Sequence, residues 1–177
     1  MGAQKAKLTA AMVSVLMASA AGMAAAADAG LTAGDRDFVN KAAQGNTMEV
    51  QAGKLASQRA LDPAVKSFAQ QMVSDHGAAN EKLKSLAGQK QMPLADDVSP
   101  EEHEALGKLE GLNGTEFDKA YSKMMVKDHK EDISEFEKAL KKVKDPDVQA
   151  YAQETLPTLR HHLMLANRLS SAEKKSP

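Results

Sequence analysis

The chain has 177 residues, no cysteine, no tryptophan and a formal net charge of -1. Without cysteine it has no disulfide, no thiolate ligand, no cysteine nucleophile and no lipoprotein anchor, and so even a charge balance leaves no footprint for nucleic acid. Ala, Leu, Lys, Glu, Gln and Met dominate while aromatic residues are few, a composition of helices held by packing.

The first stretch, Met1 to Ala27, carries Lys5 and Lys7, an apolar run from Leu8 to Ala21 and a small-residue end at Ala25-Ala26-Ala27 before Asp28. This reads as a secretory signal peptide cut after Ala27. Its loss removes two lysines and no acids, leaving 150 residues with 21 Lys+Arg against 24 Asp+Glu, one domain's length. The expected location is the periplasm or cell envelope, with no integral membrane span in the mature chain.

Four long periodic segments follow. The first, 35–59, places Phe38, Ala42, Gly45, Glu49, Ala52 and Ala56 on one stripe. The second, 63–87, opens on the cap Asp62 and on Pro63, and its apolar face runs through Val65, Phe68, Met72, His76, Ala79, Leu83 and Leu86. The third, 115–143, carries Phe117, Tyr121, Met125, His129, Phe136 and Leu140, with Asp128 and His129 straddling the stripe and lysines at its C-terminal end. The fourth, 146–170, repeats the Asp-Pro opening at Asp145-Pro146 and runs through Val148, Tyr151, Thr155, Leu159, His162, Ala166 and Leu169. Pro157 inside it removes one backbone donor and predicts a kink.

At an offset of 83 residues, Asp62, Pro63, Val65, Phe68, Ala69 and Gln70 align with Asp145, Pro146, Val148, Tyr151, Ala152 and Gln153. Glu49 lies eleven residues after Phe38, as Asp128 does after Phe117, which is about three turns in each case. The pattern predicts a duplicated helical hairpin. The connection over 88–114 is too long for antiparallel neighbours, and Ser99-Pro100-Glu101-Glu102 opens a short helix within it. The fold class is therefore all-α, a ferritin-like four-helix bundle of two hairpins joined by a long crossover. The domain is expected over 33–170, with 171–177 a frayed tail.

Each long helix offers a candidate ligand, and the principal metal set is Glu49, His76, His129 and His162, with Asp75, Asp128, Asp132 and His161 as secondary candidates. Iron, zinc or copper are the candidate ions, although the sequence requires none. Facing mid-helix side chains of a bundle assemble such sites without loops. A purely structural polar network is the rival reading, because buried imidazoles bond to carboxylates or carbonyls and thereby fix helix register. Oxidative di-iron chemistry needs Glu-x-x-His on two helices. Here the residue three before each of His76, His129, His161 and His162 is Val73, Val126, Thr158 and Leu159, so the bridging carboxylates are missing.

Met72 and Met125 each precede a candidate histidine by four residues and Met164 follows His161 by three, an arrangement that would suit copper(I) or simply fill the core. His103, in the acidic run Glu101 to Glu104, reads as solvated. The chain has no nucleophile elbow, zinc-protease motif or phosphate-binding glycine loop, so no catalytic residue is assigned.

The chain resembles the exported bacterial domain-of-unknown-function family 4142 over about Asp35 to Leu169. The resemblance rests on Asp35-Arg36-Asp37-Phe38-Val39, Gly45-Asn46 with Glu49, the run Phe68 to His76, Asp128-His129, and Leu156-Pro157-Thr158-Leu159 with His161-His162. It implies a ferritin-like bundle in the cell envelope without an established activity. The expected function is an exported, non-enzymatic protein that binds metal or acts in stress. The alternatives are a metal-dependent oxidase or copper- or iron-sequestering protein, and an envelope interaction module with a structural polar network. A homo-oligomer or an envelope protein is the candidate partner.

Overall fold

The computed structural model describes residues 30–95 and 97–173, so the expected signal peptide lies outside the described residues. Five helices follow in order: α1 (Ala33–Arg59), α2 (Pro63–Gln89), α3 (Pro100–Glu110), α4 (Gly114–Lys142) and α5 (Pro146–Glu173). No strand occurs among the described residues. The fold is an all-α, ferritin-like four-helix bundle.

Local chemistry sets the helix starts. Thr32 caps α1 and Ser99 caps α3 in capping boxes closed by Asp35 and Glu102, which satisfy amide donors that the first turn leaves free. Asp62 accepts from Ala64 N before Pro63, and Asp145 accepts from Asp147 N and Val148 N around Pro146. The helix α4 starts differently: Asn113 makes no side-chain cap bond, and Gly114 has a φ of +61°, a conformation that costs glycine little. α5 runs unbroken through Pro157 to Glu173, three residues into the segment read as tail. Pro157 is exposed, so the carbonyl it leaves unbonded lies on the solvent side.

The four long helices pack as hairpins α1–α2 and α4–α5, joined through α1–α4 and α2–α5, with α3 against α1 and α4. Two apolar clusters give the direction of each helix. One holds Phe38, Val39, Leu83, Phe136, Val148 and Leu159, and the other Ala52, Val65, Met72, Phe117, Met125 and Ala166. α1 and α5 run from the first cluster to the second, and α2 and α4 run back. Every neighbouring pair is thus antiparallel, and the crossover returns the chain along the bundle.

The two halves grip each other reciprocally. Asp35, near the start of α1, accepts from Lys144 N at 2.8 Å in the α4–α5 turn. Asp118, near the start of α4, accepts from Leu61 N at 3.1 Å and Asp62 N at 2.8 Å in the α1–α2 turn. Both acids are buried. Donor and acceptor positions are each 83 residues apart, so the duplication joins the first helix to the third at the same offset as the second to the fourth. This corrects the phase set by Phe38 and Phe117: the counterpart of Phe38 is Tyr121, and that of Glu49 is Asp132. Aromatic spacing misleads there because Phe117, one turn before Tyr121, is also fully buried.

α1 and α2 pack tightly at Gly53, where an added Cβ would stand 2.9 Å from Ala69 O and from Val73 Cγ2. That contact holds α1 near α2 one turn beyond Glu49. Between the two apolar clusters lies a layer of buried polar side chains: Asn46, Glu49, His76, His129 and His162.

Candidate metal centre

His76 comes from α2, His129 from α4 and His162 from α5, and the three are 2 %, 0 % and 0 % exposed. One nitrogen from each ring can be chosen so that the three lie within 4.8 Å of one another. The ring centres are 5.5, 5.3 and 5.3 Å apart. A metal about 2.0–2.1 Å from one nitrogen of each ring, in tetrahedral geometry, would hold ring centres roughly 5.2 Å apart. The helices already provide that spacing.

Hydrogen bonds fix which nitrogen each ring presents. His76 Nδ1 is 2.9 Å from Asn46 Oδ1, while Asn46 Nδ2 donates to the Tyr151 hydroxyl at 3.2 Å. The Asn46 oxygen is an acceptor, so His76 Nδ1 donates. His129 Nδ1 donates to Met125 O at 3.0 Å. His162 Nε2 donates to Asp75 Oδ2 at 2.9 Å. A neutral imidazole with one nitrogen donating has its lone pair on the other. Those other atoms, His76 Nε2, His129 Nε2 and His162 Nδ1, are buried and have no partner among the described residues. Each ring is thus oriented and given its tautomer by a group behind it, as metal-ligating histidines are.

Burial, opposed by the Glu49 carboxylate, leaves the His129 imidazole below its usual range. Burial likewise lowers His162, to about 4, against the raising effect of Asp75. Both rings are neutral at pH 7 and offer lone pairs. Glu49, 1 % exposed, stands on the far side of two of the rings, with Oε2 2.7 Å from His76 Nδ1 and Oε1 3.1 Å from His129 Nδ1. Those nitrogens point their protons at Asn46 and Met125, so neither Glu49 oxygen has an aligned donor. Burial alone would raise the Glu49 carboxyl, but His76 and His129 together hold it well below the usual range. It is an anion behind the imidazoles.

The secondary candidates separate. Asp75, with its side chain 35 % exposed, orients His162. His161 is exposed and is not part of the three-histidine group. Met72 and Met125 lie fully buried in the second apolar cluster, whereas Met164 is 41 % exposed. Asp128 and Asp132 line, with Glu49 and α3, a cavity of about 440 Å³ on the α1–α4 face. Burial first, then the Glu49 charge, pushes Asp128 up to about 7 and Asp132 well above the usual carboxylate range. A second cavity of about 220 Å³, on the α2–α5 face, is lined by Asp75, His76 and His162. Sequence reasoning assigned no role to Asn46 or to the Met125 carbonyl. Asn46 lies three residues before Glu49 and so shares its face, but the carbonyl leaves no trace in any side-chain pattern.

A family model described as Domain of unknown function (DUF4142) matches residues 20–169. No curated protein matches the chain. Solved structures share its fold. A DUF305 fragment from Deinococcus radiodurans superposes with a TM-score of 0.72 at 15 % identity, over 81 % of this chain and 99 % of that one. A DUF305 protein from Streptomyces coelicolor gives 0.69 at 12 % identity, over 80 % and 94 %. CopM in the Cu(II)-bound form gives 0.63 at 13 % identity, over 78 % and 96 %.

Proposed function

The chain belongs to the DUF4142 family, whose description assigns no activity, and from the geometry of the polar layer we propose that it is a cell-envelope protein that binds one late first-row transition-metal ion through His76, His129 and His162. One observation carries this reading: three buried histidines bring one ring nitrogen each within 4.8 Å of one another, and every ring has one nitrogen held by a hydrogen bond and the other buried with no partner among the described residues. A network built only to hold helices in register would satisfy those atoms, since an unpaired buried polar group costs about 1–3 kcal/mol. Imidazoles suit copper, zinc, iron and nickel, and the general affinity order places copper(II) above zinc(II). The likeness of the fold to CopM, which was captured with Cu(II), supports copper as the first ion to test.

The site lacks the carboxylate bridges of oxidative di-iron bundles, so the role is binding, buffering or delivery of the ion. Envelope location is supported by the N-terminal lysines, apolar run and Ala25-Ala26-Ala27 end. No helix among the described residues is long and apolar enough to cross a membrane.

The test is elemental analysis of untagged protein after loading with Cu(II), Zn(II) or Fe(II) and desalting. One ion per chain is expected, copper retained most tightly, and none in a His76→Ala/His129→Ala double variant. Retention of no metal by the native chain, or equal retention by the variant, would leave only a structural role for the layer.

A further inference from the structure

The cavity between α1, α3 and α4 is separate from the three-histidine centre and has its own chemistry. Seven acids and two lysines line it. Lys108 is paired with Glu104 at 2.6 Å and Lys127 with Glu131 at 3.1 Å; Lys127 offsets part of the Asp128 charge, but neither lysine is within ion-pair distance of the inner wall. That wall is Glu49, Asp128 and Asp132. Both Glu49 oxygens and Asp128 Oδ2 are buried without an aligned donor among the described residues, and Glu49 is 1 % exposed. Gly45 keeps the α1 side open: an added Cβ there would find Asp132 Oδ1 as its nearest neighbour, at 3.8 Å. Unpaired acids facing a shared cavity are stable when a cation takes up their charge.

We propose that this cavity binds a second cation, a hydrated hard divalent ion of the Mn(II) or Ca(II) class, with the Glu49 carboxylate and the Asp128 and Asp132 carboxyls, which release their protons on binding, as its wall. Oxygen-only donors select such ions over the softer metals that imidazole prefers. The size fits a hydrated ion, since six waters occupy roughly 200 Å³ in a cavity of about 440 Å³. The three carboxylates do not close on one point as the imidazoles do, so the ion keeps much of its water and bonds to the wall partly through it. Glu49 faces the cavity on one side and His76 and His129 on the other. Only that last connection, an influence of the second ion on the first, rests on the metal-centre reading above.

The experiment is a titration of the untagged chain with Mn(II), followed by the electron paramagnetic resonance signal of free Mn(II). One bound ion is expected for the native chain and for His76→Ala/His129→Ala, with affinity weakened at least tenfold in Asp128→Asn/Asp132→Asn. A Gly45→Val variant leaves the acids in place and narrows the cavity, and it too should lose Mn(II). It keeps the test decisive should the double aspartate variant fail to fold. Absence of Mn(II) binding by the native chain, or binding lost with the histidines and kept without the aspartates, overturns the proposal. Mn(II) bound while copper is not retained would refute the three-histidine centre and leave this site standing.

Discussion

Asp75 shows how much of the centre depends on groups that would never touch a metal. Its Oδ2 holds His162 Nε2 at 2.9 Å, and through that bond it turns the His162 lone pair inward. Removal of such an outer partner weakens metal binding by roughly 10–100-fold. Asp75→Ala is expected to fall in that range when measured by competition with a chromophoric chelator, whereas Asp75→Asn, which keeps an acceptor oxygen, falls less. Equal copper affinity in all three proteins would mean that His162 is not a ligand. The sequence carries this site only as helix phase. His76 and Met72 share a stripe, and so do His129 and Met125, which places both rings inward. In the His161-His162 doublet the two side chains diverge by about 100°, and the apolar stripe through Leu159 and Ala166 selects His162. Nothing in the sequence reveals that the Asn46 oxygen and the Met125 carbonyl decide which nitrogen each ring offers, because a tautomer is set by three-dimensional neighbours.

Among the elements, the reciprocal clamps bind one hairpin to the other. Asp35 closes its own capping box and accepts from Lys144 N across the bundle. Burial opposes its charge, but the bonds from Thr32 and from the Lys144 and Asp145 backbone hold its carboxyl below the ordinary value of 3.8. The folded state therefore binds the proton less readily than the unfolded state. The resulting stability is present above about pH 4 and is lost as pH falls through the folded-state value. Asp35→Asn should lower stability at pH 7 by about 1–3 kcal/mol, and the gap from the native chain should shrink below pH 4. Urea unfolding at pH 7 and pH 3 checks this, and a gap independent of pH would show that the charge is not what matters. The hairpin pair with its crossover helix was legible because Asp-Pro openings, stripe periods and one overlong connection are local signals. The common offset of 83 residues through the first and third helices was not, because Asp35 and Asp118 act on turns far away in sequence and a neighbouring aromatic gave a competing alignment.

For the whole molecule, a polar layer divides the core and leaves each apolar cluster to one end of the bundle. Without a cation that layer is costly, since Glu49 and three imidazole nitrogens lie buried without aligned partners. A ligand bound only by the native state stabilises it by about 2.7 kcal/mol at a hundred times its dissociation constant, which for a domain of this size raises the melting temperature by roughly 6–10 °C. Cu(II) should produce such a rise in the native chain and none in His76→Ala/His129→Ala. Mn(II) should produce its own smaller rise through the acidic cavity. The two increments should not add. Two dications on opposite sides of Glu49 compete for one negative charge and repel each other, and the loss each imposes on the other is equal by linkage. Thermal melts with Cu(II), with Mn(II) and with both measure that coupling directly. A combined shift smaller than the sum is expected, together with an affinity for Cu(II) about fivefold or more weaker in saturating Mn(II). Strictly additive shifts would show that Glu49 is not shared, and that the bundle holds two independent sites.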